Sequence, residues 1–125
     1  YLVAKNDSGY YIGYHSVFDK KSEMTLNFRP QNENLLSEVS KDKDLLTLKR
    51  FSKDYYTAEH INDTLFLSDI RFGTIGGWAD PKADFVFKYC LEKNANNDLV
   101  IQRGRFKSAG KDALTSLWKR ICGKE

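Results

Sequence analysis

Two residues, Asn62-Asp63, separate "DYYTAEHI" from "TLFLSDIRF". Both runs are rich in β-branched and aromatic residues, and a two-residue polar link of this kind is what a tight hairpin requires. The link therefore commits the middle of the chain to two antiparallel neighbours, and any fold has to be built around that ladder. Further strands read on either side of it. "YYIGYHSVF" (Tyr10 to Phe18) places Tyr10, Ile12, Tyr14 and Phe18 on one face, and a polar turn leads from it into "MTLNF", which Pro30 ends. "FVFKYCL" and "LVIQRGRF" read as a second hairpin across Glu92 to Asp98.

Helical spacing occurs in three places. Leu35, Leu36 and Val39 fall on one helical face, as do Leu45, Leu48 and Phe51, with a charged joint at Lys41 to Lys43 between them. The clearest amphipathic stripe comes last, with Leu114, Leu117, Trp118 and Ile121 at i, i+3, i+4 and i+7. Strands joined by hairpin-length links and interrupted by helices predict an α+β fold. The expected arrangement is a mostly antiparallel sheet of five to six strands, with two short helices inserted and the C-terminal amphipathic helix packed on one face. Leu117 and Trp118 should then be buried. At 125 residues the chain has room for one such domain, spanning 1–125, with a sizeable core.

Charge is unevenly placed. From Ile101 to Glu125 there are seven Lys or Arg against Asp112 and Glu125, giving +5 there and −2 over the rest of a chain whose formal net charge is +3. Such an end suits nucleic acid or an anionic membrane surface, or is simply a solvated face. No apolar run is long enough to span a bilayer, and no signal peptide is legible. Cys90 and Cys122 lack C-x-x-C spacing and read as reduced thiols, with a disulfide left open. The first residue is Tyr1, which is the expectation for a domain excised from a larger protein.

Candidate chemistry is sparse. His15 and His60 are the only histidines, and their placement aims no two imidazoles at one ion. There is no nucleophile elbow, P-loop or dinucleotide fingerprint. Gly73, Gly76 and Gly77 lie in a loop followed by another strand, whereas a phosphate cradle leads into a helix. Asp69 and Arg71, two apart on a strand, share a face, and so do Arg103 and Arg105. If those strands are close, Asp69 sits among three guanidiniums. That is either a structural ion-pair node or an anion-binding site with arginines to spare. Trp78, between Gly77 and Asp80-Pro81, either caps the core or contacts a partner.

Taken together and in order, "YYIGYHSVFD", "FSKDYYT", "SDIRFG", "GGW", "FVFKY" and "QRGRF" resemble the C-terminal soluble region of bacterial membrane-bound metal-dependent hydrolases. The family is also described as inner-membrane-associated hydrolases, some of which bind the LexA repressor. The likeness runs from about Tyr10 to Gly123 and rests on tail signatures. It implies that the metal ligands, histidines and acids, belong to an N-terminal membrane-embedded portion that these residues do not include. No catalytic or metal-binding residue therefore carries over, no cofactor is expected in this segment, and the divalent metal belongs to that other portion. The implied partners are that portion and a protein such as a repressor, with nucleic acid disfavoured. The implied location is the inner membrane, its cytoplasmic face favoured. The rival readings are a free-standing module binding an anion through Arg71, Arg103 and Arg105, and, behind it, nucleic-acid binding through the basic C-terminal region.

Overall fold

A computed structural model describes residues 1–91 and 111–123, the side chains of 111–113 excepted. Strands β1 (Leu2–Lys5), β2 (Gly9–Gly13) and β3 (Leu26–Pro30) form one antiparallel sheet in the order β1-β2-β3. A 3₁₀ turn over Glu33–Val39 and helix α1 (Lys43–Ser52) follow. Strands β4 (Tyr56–Ile61), β5 (Thr64–Thr74) and β6 (Phe85–Leu91) then form a second sheet, and helix α2 (Lys111–Ile121) closes the chain.

The hairpin at Asn62-Asp63 forms as its chemistry demands. Ile61 pairs with Thr64, and both turn residues take positive φ, 47° and 61°, which Asn and Asp tolerate better than most residues. Helix α1 starts at Asp42, whose carboxylate accepts from the Asp44 N–H at 2.8 Å, and ends at Lys53 in the left-handed conformation. Leu45 and Leu48 are buried as the spacing required, whereas Phe51 is exposed. The Leu35–Val39 segment winds as a 3₁₀ turn and still buries Leu36.

The single sheet with a helix packed on its face is not what the chain forms. Instead the described residues form two three-stranded sheets, and the reason lies at the end of β3. Pro30 has no N–H to donate, and Asn32 turns left-handed at φ 55°. Beyond Pro30, β3 and β4 therefore meet at one place: the Ala58 N–H donates to Gln31 O at 3.0 Å and Thr57 Oγ1 to Pro30 O at 2.6 Å. The ladder does not continue. The strand Leu2–Lys5 went unread in the sequence; it pairs with β2 from Leu2↔Gly13 to Lys5↔Tyr10. The expected return strand "LVIQRGRF" lies outside the described residues.

Two cores result. In the first, Leu36, Leu45 and Leu48 pack on Tyr56, Ala58, Leu65, Leu67 and Leu91, so the helical segment covers one face of the β4-β5-β6 sheet. In the second, Tyr10 and Ile12 of β2 meet Ile70 and Phe85, so the two sheets pack against each other. Strand β5 serves both cores because alternate residues point to opposite faces. Helix α2 joins neither. Leu114, Trp118 and Ile121 are exposed and Leu117 is half-buried, so the burial expected for Trp118 is overturned. Among the described residues no helix is long and apolar enough to cross a membrane.

Candidate functional site

Strand β5 pairs regularly with β6 from Leu65↔Leu91 to Asp69↔Phe87, then shifts register before Thr74↔Phe85. "SDIRFG" runs into that irregular stretch, with Ser68 and Asp69 at the end of the regular ladder and Ile70 to Gly73 inside the shift. A bulged strand bends and re-aims its side chains. Here Arg71 turns back on Asp69: its Nε donates to Asp69 Oδ1 at 3.0 Å and its Nη2 to Oδ2 at 2.6 Å, while the Arg71 backbone N–H donates to Oδ1 at 3.0 Å. Asp69 is 0% exposed. The same Nη2 donates to Phe51 O at 2.6 Å, at the end of α1, where a cation suits the carbonyl end of the helix dipole. The guanidinium also lies over the Phe51 and Phe72 rings, 5.3 and 5.1 Å from their centroids. Asp69 and Arg71 thus meet as their i, i+2 spacing predicts. Arg103 and Arg105 lie outside the described residues.

A second arginine–carboxylate pair was missed in the sequence. Arg120 of α2 donates through Nη2 to Asp19 Oδ2 at 2.7 Å and through Nη1 to Oδ1, and Nη2 also reaches Tyr14 O at 3.1 Å. His15 Nδ1 lies 3.3 Å from the same carboxylate. The Arg120 hydrogen bonds, aided by the Ser16 N–H, hold the Asp19 carboxyl well below the usual carboxylate range. No local pattern could have marked a pair 101 residues apart.

Trp78 folds back and stays half-buried. Its indole N–H donates to Ser116 Oγ at 3.1 Å, and its ring stands edge-on to Tyr14 at 6.5 Å. The Tyr14 hydroxyl in turn accepts from the Thr74 N–H at 3.0 Å and bonds Thr74 Oγ1 at 2.6 Å. Gly77 is required at this crossing, because a Cβ there would stand 1.8 Å from Thr74 Oγ1 and 2.5 Å from the Tyr14 hydroxyl. Between this loop and α2 lies an open cleft of about 960 Å³, lined among others by Tyr14, Phe18, Asp19, Trp78, Lys119 and Arg120.

Two further charged clusters among the described residues are internally satisfied. Lys88 lies 2.9 Å from Glu59 and 2.8 Å from Asp84; burial works against its charge, but the bonds to Asp84 and Glu59 prevail and raise its pKa. Glu33 accepts from both Lys49 and Tyr56, and those bonds outweigh burial and lower its pKa. Burial together with the Glu33 contact raises the Tyr56 phenol. Ser68 Oγ is buried with no hydrogen-bond partner among the described residues. The nearest candidate base by register is Lys88, whose raised pKa keeps it protonated and unable to take the Ser68 proton. Cys90 is buried and Cys122 exposed, and no disulfide joins them. Among the described residues no three His, Cys, Asp or Glu side chains are grouped to hold a metal.

No family model matches this chain, and no curated protein or solved structure does either.

Proposed function

We propose that this chain is a non-catalytic accessory module of a membrane-bound metal-dependent hydrolase, working by contact with a partner. One observation carries the non-catalytic part. General acid–base catalysis needs carboxyls moved up or lysines moved down toward the working pH. Among the described residues the resolved shifts run the other way: Asp19 and Glu33 go down, and Lys49 and Lys88 go up. Each of these groups is spent on holding one element to another. The partner-binding part rests on the open cleft between the Trp78 loop and α2. The hydrolase part rests on the tail signatures, with the metal, the catalytic residues and the first partner all in the membrane portion. A second protein partner, such as a repressor, would share the exposed surface. Cysteines not joined by a disulfide accord with a reducing compartment and hence with the cytoplasmic side.

Elemental analysis after dialysis, together with hydrolase assays on the chain alone and on the whole protein, tests the reading. The expected result is less than stoichiometric zinc or manganese and no turnover by the chain, with both present in the whole protein. About one metal per chain, or hydrolysis by the chain alone, would overturn it.

A further inference from the structure

The walls of the cleft beside Trp78 come from three parts of the chain, and each is held in place. The loop after β5 is fixed by the close approach of Gly77 to Thr74 and Tyr14, and by the bond from the Trp78 indole to Ser116 of α2. The loop between β2 and β3 is tied to α2: Ser16 Oγ donates to Ile121 O at 2.8 Å, and Arg120 reaches both Tyr14 O and the Asp19 carboxylate. The chain after α2 presses so closely on that loop that a Cβ on Gly123 would stand 2.2 Å from Phe18 O. A groove whose walls are set in advance loses little ordering entropy when something enters it.

The charges on those walls do not balance. Besides the Arg120–Asp19 pair, the charged side chains lining the cleft are Lys20, Lys21, Lys119 and Glu23, all four exposed. None of the four is in an ion pair among the described residues. Three cations thus face one acid, and even a contact between Glu23 and one lysine leaves two ammonium groups to be met from outside. The same cleft offers apolar surface in Phe18, which is 63% exposed, and in Met24 and Trp78. Carboxylates together with a large apolar side chain match such a lining. A nucleic acid matches it poorly, because the arginine on the cleft is committed to Asp19 and three lysines make no basic stripe for a phosphate backbone. A small ligand is normally enclosed over most of its surface, and this cleft lies open.

We propose that the cleft between the Trp78 loop and α2 takes an extended acidic segment of a protein partner, a claim that rests on the reading of this cleft as an accessory module's contact site. The segment's carboxylates reach Lys20, Lys21 and Lys119, and one of its apolar side chains rests on Phe18. The two claims fail separately. Metal or turnover found in the chain would sink the accessory reading and leave acidic-peptide binding untouched, whereas a chain without either that ignores such a peptide would sink this proposal alone.

Fluorescence anisotropy of the 125-residue chain with a fluorescein-labelled peptide, glutamates on either side of a central leucine, tests it. The same peptide with glutamines in place of the glutamates controls for dye and backbone. The glutamate peptide is expected to bind, and more weakly as salt is raised, with little binding of its glutamine counterpart. The combined Lys20→Gln, Lys21→Gln, Lys119→Gln variant should weaken binding by on the order of twentyfold, from roughly threefold per exposed ion pair. Glu23→Gln, which removes a repelling charge, should tighten it about twofold. Phe18→Ser should weaken it about fivefold and, because the ring is exposed, keep the parent's urea midpoint. Trp118→Ser, which alters no lining residue, should change nothing. Equal binding of the two peptides, equal binding by the parent and the lysine variant, or no binding at all would overturn the proposal. So would tighter binding of oligothymidylate than of the glutamate peptide, which would make the cleft a nucleic-acid groove, or a lowered midpoint for Phe18→Ser, which would place that ring in a core.

Discussion

The described residues contain two forked arginine–carboxylate pairs, Arg71 on Asp69 and Arg120 on Asp19, with nearly the same bond lengths but different burial of the acid: Asp69 is wholly buried and Asp19 keeps 16% exposure. In the first, the acid is fully buried at the seam between α1 and the second sheet, and the arginine also satisfies the last turn of that helix. In the second, the pair lies at an open cleft and its task is to fasten α2 to the β2–β3 loop. Burial, not bond geometry, sets what each pair contributes. A carboxylate with no access to water, stripped of its partner, is left with an uncompensated charge, while a half-buried one at the edge of a cleft can turn toward water. The first pair belongs to the core and the second acts as a latch.

Removing the core pair's acid should have the largest effect. Asp69→Ala leaves Arg71 over the Phe51 carbonyl without its counter-charge and should cost about 3–5 kcal/mol in urea unfolding. The double variant Asp69→Ala, Arg71→Met should recover much of that loss. Added phosphate should not stabilise the parent. A mild single-variant effect combined with stabilisation by phosphate would instead make Arg71 part of an anion site and dissolve the contrast between the pairs.

The latch should show a smaller, local effect. Asp19→Asn should leave the urea midpoint of both cores nearly unchanged while raising the accessibility of α2 to protease, and added salt should act in the same direction on the parent. Acid should do likewise. The folded Asp19 carboxyl titrates below its unfolded counterpart, so its contribution is fully present above the unfolded carboxylate pKa of about 3.9 and is lost as pH falls from there toward the lowered folded value. Fluorescence of Trp78, whose indole bonds Ser116 on α2, should therefore change below about pH 4, and in Asp19→Asn that response should be absent. An unaltered acid response in the variant would show that other carboxyls hold the helix.

The smallest effect should come from the residue whose apolar spacing promised the largest. Trp118→Ala should change stability by no more than about 0.5 kcal/mol, the ordinary result for an exposed side chain. A loss of about 3–5 kcal/mol, as for an aromatic removed from a core, would mean that α2 is packed and not latched.

Local rules determined a good part of this molecule. Alternation marked β2, β4, β5 and β6, two polar residues marked the hairpin at Asn62-Asp63, and the i, i+2 offset put Asp69 and Arg71 on one face. Each of these follows from backbone geometry over a few residues, which sequence carries directly. Periodicity says which side chains share a face, but not what that face meets. Leu45 and Leu48 met a sheet, whereas Leu114 and Trp118, on the stronger stripe, met water. The same limit hid the split into two sheets, decided where Pro30 and Asn32 let β3 touch β4 without a ladder. It hid the latch too, since Asp19 and Arg120 become neighbours only when the chain between them has taken its path. Contacts of that separation depend on loop closure and on competing burial across the whole chain, and tertiary structure alone resolves that competition.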